Sequence, residues 1–100
     1  MNADPISMTP LEKKLAAVYW DTDVDAKELR RLLDGDIDRL GHIDRINLCR
    51  RLLMTYDWYT LLAIIPQNRL HEALSDAVLD QICSEDLRDR YRYARRVLFG

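Results

Sequence analysis

Four arginines close to the end of the chain, Arg88, Arg92, Arg95 and Arg96, have the side chains and spacing best suited to gripping a ligand. Their i, i+4, i+7, i+8 pattern projects them from one side of a helix, where guanidinium forks bind phosphates or carboxylates in bidentate fashion. The plainer account is a solvated face with pairing inside the helix, Asp86 to Arg90 and Asp89 to Arg92. Arg30-Arg31 and Arg50-Arg51 are candidates to extend the ridge in three dimensions. A second feature is Trp20-Asp21-Thr22-Asp23. There a ring ends an apolar stripe and precedes an acidic turn, so Trp20 can anchor a partner while Asp21 and Asp23 set register.

The remaining reactive side chains read as structural. Asp21, Asp23 and Asp25 alternate, as do Asp34, Asp36 and Asp38, like the opening of a calcium loop. Such a loop needs glycine at its sixth position and a bidentate glutamate at its twelfth. From Asp21 those places hold Ala26 and Leu32, and from Asp34 they hold Arg39 and Arg45. Caps and turns account for these aspartates, and no metal is expected. His42 and His71 lie apart, without zinc-ligand spacing. Cys49 and Cys83 sit in apolar runs, Ile46-Cys49-Leu53 and Leu79-Ile82-Cys83, which points to reduced, buried thiols. No P-loop, GxSxG or dinucleotide fingerprint is present. The expectation is a protein with no catalytic residues and no cofactor.

Those residues need a scaffold, and composition restricts its kind. With 48% hydrophobic and 32% charged residues in a chain of 100, the protein reads as one globular domain. Three glycines and three prolines are too few for a turn-rich β-sandwich or barrel. A net charge of −2 does not advertise nucleic acid or an anionic membrane as partner. The charge is uneven, because residues 1–44 hold ten acids and six bases while residues 45–100 hold seven and nine. The longest apolar run, Leu61–Ile65, is far shorter than the roughly 20 residues that span a bilayer. Met1–Pro5 lacks the charged and apolar regions of a signal peptide, so a cytoplasmic location is expected.

Helix starts and stripes then divide the chain. Residues 1–8 carry no stripe and read as a disordered tail before a single helical domain over 9–100. Thr9-Pro10-Leu11-Glu12 is a capping box ahead of Leu11, Leu15, Val18 and Tyr19. Asp25 caps a helix with Leu29, Leu32 and Leu33, stopped by Gly35, and Asp36–Gly41 reads as a connector or single turn. Asp44 or a neighbour opens a helix bearing Ile46, Cys49, Leu52, Leu53 and Tyr56. Asp57 caps Trp58–Ile65, which Pro66 ends. That segment is apolar nearly all round, hence a central helix or a buried strand. Helix is favoured, since no convincing partner strand exists, and in a central helix Leu62→Ala costs about 2–5 kcal/mol. Shorter stripes follow at Leu70, Ala73, Leu74 and, after a Ser75 cap, at Val78, Leu79, Ile82. Ser84 caps the last helix, with stripe Leu87, Tyr91, Ala94, Leu98. The expected fold is all-α, a single compact bundle of about five or six short helices around Trp58–Ile65.

At Tyr19-Trp20-Asp21-Thr22-Asp23 the chain resembles a group of short bacterial helical proteins that open with an aromatic-Trp-Asp-x-Asp motif. These are found beside nucleotidyltransferase-type toxins of abortive-infection systems. The likeness continues loosely through Arg39-Leu40-Gly41, Leu52-Leu53 with Tyr56, and Ser84–Leu87, while the Gly41–Asp44 junction and the arginine-rich last helix depart from it. The resemblance implies a small antitoxin-like or accessory protein that works by binding another protein. A non-enzymatic interaction module is therefore expected, with Trp20, Asp21, Asp23 and the Arg88–Arg96 ridge as its surfaces. Nucleic-acid binding through the ridge is the alternative, and a homo-oligomeric structural protein a further one.

Overall fold

Local capping chemistry starts five of the helices. A computed structural model describes residues 9–19 and 24–100. In α1 (Pro10–Ala17) the Glu12 amide donates to Thr9 Oγ1 and the Thr9 amide donates to Glu12 Oε1, both at 3.1 Å. Asp25 caps α2 (Ala26–Asp34) and Asp44 caps α3 (Arg45–Thr55), each carboxylate accepting a first-turn amide. Asp57 and Ser84 do the same for α4 (Trp58–Ile64) and α7 (Glu85–Phe99). Two of the short middle helices, α5 (Gln67–Ala73) and α6 (Asp76–Leu79), have no such side-chain bond, so Ser75 holds the cap position without its hydroxyl bonding. The expected tail 1–8 lies outside the described residues.

The far ends of these short helices are held differently. Their last carbonyls need donors, and side chains from elsewhere in the chain supply them. Arg51 donates to Val18 O at 2.8 Å beyond α1, and Arg45 Nε to Leu32 O at 2.8 Å in the last turn of α2. Tyr91 Oη donates to Leu53 O at 2.6 Å in α3, and Arg95 to Leu74 O at 3.1 Å after α5. Arg88 reaches Ile82 O at 3.2 Å, beyond α6. Cations at these sites also meet the negative end of the helix dipole. At the end of α2 Gly35 takes a left-handed φ of +89°. A Cβ there would lie 2.0 Å from Arg69 Nη2, so a side chain would have to push aside the tip of that arginine, but it is the left-handed backbone that favours glycine.

The all-α class holds, with one addition. Arg39–Leu40 (β1) and Ile43–Asp44 (β2) pair antiparallel, Arg39 with Asp44 and Leu40 with Ile43. The segment expected to be a connector thus ends in a two-residue hairpin, whose turn Gly41 enters at φ +64°. The described residues contain seven helices against the five or six expected, and the run after Pro66 divides into α5 and α6 at Ser75, where the two short stripes place the break.

The core is built mainly of leucine and centres on α3, not on Trp58–Ile65. Leu48, Cys49, Leu52 and Leu53 are buried there, and α3 packs against α2, β2, α5 and α6. Ile46, expected inward, lies about a quarter turn off that stripe and is 38% exposed. Helix α4 is one flank of the fold: Leu61, Ile64 and the following Ile65 are buried, whereas Leu62 is 44% and Tyr59 83% exposed. Two turns of helix bury only one stripe, so most of its outer residues stay in solvent. Among the described residues, no helix is long and apolar enough to cross a membrane.

Candidate partner-binding groove

The arginine ridge does not present four free guanidinium groups. Arg88 and Arg95 turn toward the fold through their carbonyl bonds, and Arg95 also pairs with Asp76 at 2.9 Å. Arg92 pairs with Asp80 at 3.6 Å and Asp89 at 3.5 Å. The expected intrahelical pair Asp86–Arg90 is present at 3.7 Å. Arg96 is exposed and has no ion pair among the described residues. The other arginine pairs serve different elements. Arg30 meets Glu12 and Asp34, Arg31 meets Glu28, and Arg51 lies 4.3 Å over the Tyr19 ring. Arg50 reaches the Met54 sulfur. Trp20, Asp21 and Asp23 lie outside the described residues.

What the fold does assemble is an apolar groove where α7 crosses the α3–α4 junction. Leu53, Trp58 and Tyr91 form its inner part, the two rings tilted at 45° with centroids 6.4 Å apart. The hydroxyl of Tyr91 is taken up by Leu53 O, so that ring offers the groove only carbon surface. Along the rims Met54 is 47%, Tyr93 67%, Val97 65% and Leu98 47% exposed. The groove volume is about 550 Å³. Asp57 and Arg90 are its charged lining residues. Hydrogen bonds from the Thr60 side chain and amide hold Asp57 below the ordinary carboxylate range, so it stays ionised at neutral pH. Arg90 is paired with Asp86 and largely in water. This arrangement can dock apolar side chains and orient them by two rim charges. Exposed apolar surface of this kind marks interaction sites.

A second concavity, of about 440 Å³, is polar and lies between the hairpin turn, α3 and α6. Three of its polar side chains are used within the fold. Asp44 caps α3, Asn47 accepts from the Tyr19 hydroxyl, and Asp80 meets Arg92. Among the described residues no group of three His, Cys, Asp or Glu side chains could hold a metal ion.

The thiols part company. Cys49 is buried as expected, and burial pushes its pKa up to about 12. Cys83 is exposed, contrary to expectation, because α6 ends at Leu79 and Cys83 lies in the irregular link to α7. Iodoacetamide at pH 8 should therefore label one thiol in the native protein, the exposed Cys83. Cys49 should react only on unfolding, since raising its pKa from 9.0 to about 12 cuts the thiolate about a thousandfold. Two thiols labelled at equal rates in the native protein would contradict the burial of Cys49.

No family model, curated protein or solved structure matches the chain. Sequence reasoning missed Met54, Tyr93 and Val97 as site residues. A signal was available: α7 carries Leu87, Tyr91, Tyr93, Ala94, Val97, Leu98 and Phe99, a wider apolar face than one core contact needs.

Proposed function

We propose that this protein is a non-enzymatic interaction module that docks an amphipathic helix of another protein in the α3–α4–α7 groove. The observation that carries the reading is the concentration of exposed apolar residues along one rim of α7, beside a concave apolar floor. Each rim side chain that a partner covers contributes up to about 1.5–3 kcal/mol, against which the loss of translational and rotational freedom on association must be set. Asp57 and Arg90 fix the register of the incoming helix. The resemblance at Tyr19–Asp23 supports an antitoxin-like or accessory role toward a toxin-like enzyme, with occlusion of that enzyme as the mechanism. Nucleic-acid binding through the arginines draws less support, since Arg88, Arg92 and Arg95 already serve internal carbonyls and carboxylates.

The test is co-expression with the product of each flanking gene, in the native sequence and in Val97→Glu. A stoichiometric complex that survives gel filtration and is lost in Val97→Glu is the expected result. Absence of any complex, or one indifferent to both Val97→Glu and Tyr93→Glu, would overturn the proposal.

A further inference from the structure

We infer that the groove also seats α7 of a second copy of this chain, antiparallel, so that self-pairing and partner capture compete for one surface. The inference rests on the reading of the groove as a docking surface and names an occupant that is always available. Leu87 and Tyr91 face the body of the protein, which leaves the flank Arg90, Tyr93, Val97 as the outward seam. Its i, i+3, i+7 spacing is that of one helix side packing on another. Tyr93 and Val97 are two of the most exposed large apolar residues described, at 67% and 65%. Ala94 lies beside them and lets two backbones approach closely. The same helix thus supplies both a wall of the groove and the ridge that fits it. That is the condition for an isologous two-fold contact, in which one patch meets itself.

Charge decides the direction. Glu85–Arg90 holds three acids and two bases, whereas Tyr91–Phe99 holds three arginines and no acid. A parallel pair would stack basic half on basic half, while an antiparallel pair sets each basic half against the other copy's acidic one. Asp89 and Arg96, seven residues apart, share the flank just outside the seam. Antiparallel pairing brings Asp89 of one copy near Arg96 of the other, twice by symmetry. Arg96 has no ion pair among the described residues, so it is available for this contact.

Light scattering on the full chain, from micromolar to near-millimolar concentration, tests the inference. The mass should rise with concentration from one chain, 11.8 kDa, to two. Val97→Glu and, separately, Tyr93→Glu should stay at one chain throughout, with unchanged far-UV circular dichroism. Arg96→Asp should weaken self-association, and the exchange Asp89→Arg with Arg96→Asp should restore it. A native chain of single-chain mass at every concentration would overturn the inference, as would a dimer that neither glutamate variant disturbs. A monomer that still forms a Val97-dependent complex with another protein overturns self-pairing and leaves the docking reading intact. A Val97-dependent dimer that captures none of the flanking gene products supports self-pairing and overturns only the capture of another protein.

Discussion

Arg45→Ala should lower the stability of the protein by about 3 kcal/mol, even though the residue touches no part of the groove. The Arg45 side chain is only 15% exposed and joins three elements. It donates to Leu32 O at 2.8 Å and Ile37 O at 3.0 Å, and pairs with Glu72 of α5 at 3.1 Å. Without it Ile37 O loses a charged donor, and Leu32 O keeps only the Gly35 amide. Charge-assisted bonds of this kind contribute roughly 1.5–3 kcal/mol each, and the loss of two is only partly offset by water entering the gap. Arg45→Met separates the contributions, because it keeps the packing of the stem and removes the donors. In urea unfolding, both variants should show a lower midpoint with little change in slope, Arg45→Ala the lower of the two. A loss below about 1 kcal/mol for Arg45→Ala would mean that the α2–hairpin–α5 junction holds without its guanidinium.

The second large effect separates two adjacent leucines. Leu61→Ala should cost about 2–5 kcal/mol, since Leu61 is fully buried and its removal leaves a cavity. Leu62→Ala should cost less than about 1 kcal/mol, because Leu62 is 44% exposed on the outer side of α4. This replaces the larger cost that a central Trp58–Ile65 helix implies. Equal costs at the two positions would contradict the placement of α4 on a flank.

The parts of the fold legible in the sequence are those settled within a few residues. Thr9, Asp25, Asp57 and Ser84 cap helices because a short polar side chain bonds an amide two or three positions on, and both partners are visible together. Gly35 was readable for the same reason. Choosing between Leu61 and Leu62 was not, because an apolar run without a polar face carries no phase. The hairpin escaped notice because two-residue strands show no alternation. The arginines of α7 were legible as a stripe, but neither Arg95 among them nor Arg45 and Arg51 elsewhere as helix-end donors, since the carbonyl partners of Arg45, Arg95 and Arg51 lie 13, 21 and 33 residues away. Chain distance of that order hides a contact however strong it is. The groove was hidden likewise, being made only when α7 crosses the end of α3. Of the expected surfaces, the ridge divides, Arg88 and Arg95 bonding carbonyls of the fold while Arg92 meets surface carboxylates and Arg96 stays exposed, and the Trp20–Asp23 turn lies outside the described residues.

The most direct measurement of the docking claim is amide hydrogen exchange on the chain, free and in complex with the protein that co-purifies with it. Slowed exchange on complex formation is predicted for Leu53–Trp58 and for the second half of α7, with the hairpin and α2 unchanged. Protection confined to other elements, with those two segments exchanging as in the free chain, would contradict the account.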